Sequence, residues 1–360
     1  MTNVDFLFEQ SRLSLERLGL REIPFSESVT DQNDYITQIF TGQEREIRDF
    51  YHLFHGQKSR CILVTGIGKS AFILKVLDAL HRQKESKKWL LTYITLESGQ
   101  DLATAALVAL ARKMPNDEWA QHQLNQIGLR PSKSPKERTF EVHASVGIGS
   151  KASEKNLPAG KPQYPVQSFL DLLEHALRID RYERVLIAID DLDKRNPTEA
   201  WQLLKDVRAM LKGSAYFLVT GDSIEKFDAL ESDEPRLFDN VINLKKLQQN
   251  KAYQLLINHL NRARLEIDCT DPLDSCSIMP FNQDAAQLLC KLSDGDPRLL
   301  NRLGMVVINE ALDVQASTIT PEIVREALRY FFKHTPWGIP KESLQNIVVV
   351  LLDLLTASGQ

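Results

Sequence analysis

The sequence predicts a parallel-sheet α/β core followed by a helical domain, on three observations. Short apolar runs bounded by helical patterns recur from Cys61 to Leu244. A glycine-rich turn joins the first of these runs to an amphipathic helix, and a cluster of carboxylates ends a later one. From Asn250 the strand-like runs stop, and helical periodicity carries the chain onward. Continuous apolar strands that alternate with helices are buried on both faces, which is the property of parallel sheets.

Each element follows from its own pattern. Residues 1–45 form an N-terminal segment, apolar-periodic at Leu13, Leu15, Leu18 and Leu20 and then polar from Pro24 to Asn33. Gln43 to His55 places Ile47, Phe50, Tyr51 and Phe54 on one helical side. The core, residues 46–246, opens with the strand Cys61–Val64 and the helix Ala71–Arg82. Trp89–Leu96 is a second strand, and Asp101 is placed to cap an Ala/Leu-rich helix reaching Lys113. Residues 115–165 read as an inserted polar loop or hairpin, with a strand-like alternation from Thr139 to Val146. The helix Ser168–Ile179 feeds the strand Val185–Ile189, and one helix spans Pro197–Leu211, with Pro197 suited to its first turn. Ala215–Val219 and Val241–Leu244 complete the strands, and residues 247–360 form the helical domain.

Composition excludes several classes. Lys+Arg 44 against Asp+Glu 48 gives a net charge of −4, so nucleic acid is not bound through overall charge and would need a local patch such as Arg130–Arg138. The longest apolar run, Ile347–Leu352, is too short to span a bilayer, and no secretory signal opens the chain. Cys61, Cys269, Cys276 and Cys290 show no metal spacing and read as reduced thiols of a cytoplasmic protein.

Gly66-Ile67-Gly68-Lys69-Ser70 lies between an apolar strand and a helix, the context of a phosphate-binding loop. There backbone N–H groups cradle phosphates, the lysine (Lys69) reaches the β/γ-phosphates, and the hydroxyl (Ser70) binds Mg²⁺. The full pattern, Gly, four residues, then Gly-Lys-Ser/Thr, would put its first glycine at Leu63 inside the strand. The nearest glycine is Gly66, which leaves the loop three residues short. Either the strand end unravels to supply backbone, or nucleotide binding is impaired; a deletion is a third explanation.

The run Val185–Ile189 ends in Asp190-Asp191-Leu192-Asp193, which sets carboxylates at the C-terminal edge of a buried strand, where open α/β sheets bind ligands. Asp190 is placed to hold Mg²⁺, directly or through water, and Asp191 or Asp193 to orient and deprotonate an attacking water.

Over roughly residues 18–315 the chain resembles the AAA+/STAND-type P-loop ATPases, in particular their origin-recognition-like initiator branch and the related KAP-type NTPases. The resemblance implies the additional-strand type of P-loop NTPase core, followed by a helical lid. It is carried by Leu18–Phe25, similar to an N-P-F opening element, and by Phe40-Thr41-Gly42-Gln43-Glu44-Arg45-Glu46, similar to F-x-G-R-E-x-E. It implies that Phe40 and Gln43 lie beside the adenine. Asp190-Asp191-Leu192-Asp193 resembles the Walker B element, and Tyr216–Asp222 the sensor-1 strand, with Thr220 reading the γ-phosphate or water. Arg236 stands at the arginine-finger position, and Gly295-Asp296-Pro297-Arg298 resembles the start of the sensor-2 helix, from which Arg298 would meet the nucleotide.

What the resemblance implies is an ATP- and Mg²⁺-dependent switch that forms homo-oligomers and assembles on a macromolecular partner, in a bacterial antiviral defence or DNA-transaction system. The short loop sets a nucleotide-impaired scaffold subunit beside it as the alternative. A DNA-binding initiator is a third reading, against which residues 317–360 show helices over Pro321–Lys333 and Lys341–Leu355 and no winged helix.

Overall fold

A computed structural model describes residues 12–25, 33–56, 60–83, 88–96, 99–129, 141–142, 164–178, 182–221, 236–265 and 275–334. The chain divides into two compact units, residues 44–244 and residues 1–43 with 245–360. The N-terminal segment therefore belongs with the helical unit and is not a body of its own.

In the first unit α2 (Glu44–His55) precedes β1 (Cys61–Gly66), α3 (Lys69–His81), β2 (Trp89–Thr95), α4 (Leu102–Arg112), α5 (Glu118–Gln126) and β3 (Glu141–Val142). Then come α6 (Pro165–Arg178), β4 (Arg184–Asp190), α7 (Pro197–Asp206), α8 (Arg208–Leu211), β5 (Tyr216–Thr220) and β6 (Asn240–Leu244). The strands make one sheet in the order β3-β2-β4-β5-β1-β6, and every pairing is parallel. β5 lies between β1 and β4, so the strand ending in carboxylates is separated from the strand ending in glycine by one strand. This is the additional-strand arrangement that the resemblance implies.

Side chains alternate across the sheet. On one face Leu63, Val185, Ile187, Ile189, Phe217 and Val219 pack with α4, α6, α7 and α8 into one buried cluster. Helix α3 lies against β1, β4 and β5. Helix α4 is buried from Leu102 to Ala111 except at Thr104, because the sheet covers one side and α5 and α6 the other. Asp101 caps it as expected, accepting the Thr104 N–H at 2.8 Å.

Three sequence expectations change. The stretch at 115–165 is not all loop: α5, capped by Asp117 accepting the Ala120 N–H at 2.9 Å, buries Ala120 and Leu124 against the core. Its polar composition reflects a helix with a single buried side. The strand-like alternation beginning at Thr139 yields β3, which pairs in parallel with β2 through Tyr93 and Glu141 at the edge of the described sheet. Residues 130–140 and 143–163, which include the basic segment 130–138, lie outside the described residues. The single helix 197–211 is two helices, because Val207 leaves helical geometry (φ −105°, ψ 18°) as its side chain enters the core.

The second unit holds α1 (Asn33–Ile39), α9 (Gln249–Ala263), α10 (Gln283–Leu292), α11 (Pro297–Asp313) and α12 (Pro321–His334), with residues 12–17 also helical. Its N-terminal segment is tied down by backbone: Arg21 N–H donates to Ala263 O at 2.8 Å, and Leu265 N–H to Gly19 O at 3.1 Å. Phe25 lies on α11 at Gly304, where a Cβ would stand 2.5 Å from the ring. Buried His259 faces Phe25 with ring centroids 5.2 Å apart and donates Nδ1–H to the Pro24 carbonyl at 3.0 Å. The expected helix Lys341–Leu355 lies outside the described residues. Among those described, no helix is long and apolar enough to cross a membrane.

Candidate functional site

Strand β1 stays paired to its end. Leu63, where the full loop pattern would need its first glycine, is buried between Val219 and Val241, and Gly66 is in register with Leu244. The strand does not unravel, and only Ile67 and Gly68 separate it from α3. Gly66 (φ 91°) is required there, since a Cβ would stand 2.0 Å from the Leu244 carbonyl oxygen. That same oxygen accepts the Ile67 N–H at 3.1 Å. Gly68 (φ 81°, ψ 25°) turns the chain into α3 and gives the helix no side-chain cap. A Cβ on it would meet no heavy atom within 4 Å, so its backbone angle, not crowding, favours glycine.

Lys69 and Ser70 occupy the first turn of α3, both half-buried. The Lys69 ammonium donates to the Gly66 carbonyl at 3.1 Å and lies 3.1 Å from Asp193 Oδ2.

The parallel register brings the acids to the same edge of the sheet, at the end of β4, one strand away from β1. Asp190 is 2% exposed. Its Oδ1 accepts the Thr220 hydroxyl at 2.7 Å and the Asp191 N–H at 2.9 Å, and its Oδ2 accepts the Tyr93 phenol at 2.5 Å. Three adjacent strands therefore each supply one group to this network. Burial, with the Asp190 charge beside it, pushes the Tyr93 phenol well above its ordinary value and keeps it a donor. Asp191 takes a left-handed backbone (φ 67°, ψ 14°) and starts the 3₁₀ turn Leu192–Lys194. Its Oδ2 accepts from Lys194 at 2.8 Å. Burial lifts the Asp191 carboxyl above its usual range, with the Asp190 and Asp193 charges adding to the effect against Lys194. Asp190, Asp191 and Asp193 each offer an oxygen, all within 4.8 Å of one another.

Of the residues assigned from sequence, Gly66, Gly68, Lys69, Ser70, Asp190, Asp191, Asp193 and Thr220 lie at the ends of β1, β4 and β5 or in the turns after them. Thr220 gives its hydroxyl to Asp190. Arg236 is exposed in the segment leading to β6. Phe40, Gln43 and Arg298 belong to the other unit. There Gly42 (φ 79°) and Gln43 (φ 60°) form a turn, and Asp296 caps α11 by accepting the Arg298 N–H at 2.8 Å. Gly295 (φ 71°) is required where a Cβ would stand 2.1 Å from the Leu247 carbonyl oxygen.

Sequence reasoning missed Tyr93. The available signal was a tyrosine in an apolar strand, and only the register, Tyr93 opposite Ala188 and two residues before the partner of Asp190, shows what it serves.

The residues fit a terminal phosphate and a hard divalent cation. An uncapped helix N-terminus with a lysine in its first turn suits an anion, and three clustered carboxylates suit Mg²⁺. They do not fit a loop wrapped around a β-phosphate, because two residues span strand to helix and the Ile67 N–H is already bonded.

Residues 56–224 match the KAP family P-loop domain. Among solved structures the chain is similar to the Aeropyrum pernix ORC1 protein in complex with DNA (17% identity, TM-score 0.50, 83% of this chain and 67% of that one). It is also similar to Drosophila ORC bound to DNA (15%, 0.49, 89% and 65%) and to the Thermotoga maritima RuvB Holliday junction branch migration motor (12%, 0.38, 86% and 74%). It spans about two thirds of the length of the first two. At 17% identity the ORC1 likeness shows the fold alone. No curated protein matches the chain.

Proposed function

We propose, from the premise that residues 56–224 are a P-loop NTPase domain of the KAP type, that this protein binds ATP with Mg²⁺ and hydrolyses it as a switch. The observation that carries this reading is the convergence of Lys69, the α3 N-terminus and three carboxylates at one edge of one parallel sheet. Lys69 and the first-turn N–H groups hold the terminal phosphates. Ser70 and Asp190 would hold the cation, which would neutralise phosphate charge. Asp191, which follows Asp190 at the strand end, orients the attacking water and takes its proton. Thr220 and Tyr93 keep the Asp190 carboxylate in one orientation. By the resemblance, Arg236 acts on a neighbouring copy, and the nucleotide state governs assembly with a macromolecular partner.

The test is nucleotide binding and hydrolysis by the whole chain. Lys69→Ala should weaken ATP binding at least tenfold, in line with losing a charge-assisted hydrogen bond of about 1.5–3 kcal/mol. Asp191→Ala should lower turnover by about 10²-fold with binding retained. Three residues inserted between Gly66 and Ile67 should raise affinity. No Mg²⁺-dependent thermal shift with ATP in the parent protein would sink the proposal. One observation favours a second reading, a scaffold that does not bind nucleotide: the Ile67 N–H is bonded to Leu244 and is not open to a ligand. A clear thermal shift with ATP would remove it.

A further inference from the structure

We infer that Asp193 is an internal competitor for the phosphate site: it holds Lys69 where a nucleotide phosphate would, and so sets the affinity of the loop. This rests on the nucleotide-binding reading above and reassigns Asp193 from water activation to control of binding.

The geometry is specific. Lys69 is the only cation of the Gly66–Ser70 turn, and its ammonium lies 3.1 Å from Asp193 Oδ2 and 3.1 Å from the Gly66 carbonyl. The two side chains are 17% and 28% exposed, too sheltered for the pair to count as a solvated surface contact. Asp193 reaches this position because Asp191 adopts a left-handed backbone and starts the 3₁₀ turn Leu192–Lys194. The other two acids are engaged elsewhere. Asp191 takes Lys194, and Asp190 takes Thr220, Tyr93 and its neighbour's N–H. The Asp193 charge is therefore committed to the phosphate-loop lysine. From the opposite side the Leu244 carbonyl holds the Ile67 N–H. An incoming phosphate must displace a carboxylate from Lys69 in a loop with few other donors, so the exchange weighs more here than in a loop of full length.

The sign separates this role from catalysis. Loss of a water-activating acid lowers turnover and leaves affinity alone. Loss of a competing anion raises affinity. The experiment is a titration with ATP, and separately with tripolyphosphate, in EDTA so that no cation engages the acids. Parent protein, Asp193→Asn, Asp191→Asn and Lys69→Ala are compared, with Asp193→Ser as a second variant in case the asparagine perturbs the turn. Asp191→Asn removes the same charge next door and reports the general field.

The expected result is Asp193→Asn binding at least fivefold more tightly than the parent and more tightly than Asp191→Asn. Binding by Asp193→Asn where the parent is silent supports the inference equally. An Asp193→Asn affinity at or below the parent's, or an equal gain in Asp191→Asn, overturns it. If the parent binds and Lys69→Ala does not, that result leaves the nucleotide reading standing. Silence in every protein overturns the inference, and the nucleotide reading falls with it only if the parent also shows no Mg²⁺-dependent thermal shift with ATP.

Discussion

Asp191 sets its proposed role in hydrolysis against stability. Its backbone is left-handed, a region that asparagine tolerates well, and its carboxyl is raised by burial and by its two acidic neighbours. A carboxyl raised on folding opposes stability once pH exceeds its folded value, because the native state then holds a charge the unfolded chain carries more easily. Asp191→Asn should therefore raise Tm, by the equivalent of about 0.5–1 kcal/mol, while lowering turnover by about 10²-fold. Parallel melting and turnover measurements check this, and a lower Tm would contradict the placement. The identities of Lys69 and of the three acids are legible in sequence, because a glycine turn after one apolar run and carboxylates after another mark strand ends. The pairing of Lys69 with Asp193, and the engagement of Asp190 by Tyr93, are not. Both depend on which strands are neighbours and in which register, and residues 69 and 193 are brought together only by the sheet.

At the scale of elements, Gly304 illustrates a packing choice that propensity argues against. A glycine inside α11 costs about 1 kcal/mol relative to alanine in helix propensity. Here a Cβ would stand 2.5–2.7 Å from three atoms of the Phe25 ring, and Phe25 is itself 3% exposed. Overpacking of that kind costs about 1–3 kcal/mol, so it outweighs the propensity gain. Gly304→Ala should lower Tm by several degrees, and adding Phe25→Leu should recover part of the loss; a stabilised single variant would show that Phe25 does not rest on α11. Element boundaries read from periodicity held where a cap or an apolar run marked them, as at Asp101 and Cys61. They failed at Val207, where burial of one side chain breaks the helix. They failed again at α5, whose buried stripe is narrow enough to pass for loop composition.

At the scale of the whole molecule, acid sensitivity comes from a group far from the candidate site in sequence. His259 is buried, and burial holds its imidazole down at about 4 against an ordinary value of 6.5, with the Pro24 carbonyl opposing. The native state thus binds fewer protons than the unfolded chain between these values. Its stabilising contribution is complete above about pH 6.5 and is lost as pH falls toward about 4. The loss amounts to about 3 kcal/mol, at 1.36 kcal/mol per pKa unit. Asp117 and Asp239 are held below the usual carboxylate value, Asp117 by the Ala120 N–H and His175, Asp239 by Lys212 and two backbone N–H groups, all against the effect of burial. Their contributions are lost only at lower pH, below that of free aspartate. A melting series from pH 7 to 4.5 should therefore show a fall in Tm that a His259→Gln variant lacks. An identical slope in both would remove His259 as the cause.

Taken alone, the sequence determined the layer architecture, because apolar strand runs between amphipathic helices can be buried only as a covered parallel sheet. It also determined the shortage in the phosphate loop, which is a matter of counting residues. Only the tertiary structure decided what the shortage means locally. Strand β1 remains paired through Gly66, whose register partner Leu244 also accepts the Ile67 N–H, so the loop draws no residues from the strand. The N–H and the ammonium left in that turn then find partners in Leu244 and Asp193, since a sheltered donor without a ligand is satisfied by whichever acceptor the fold brings within reach.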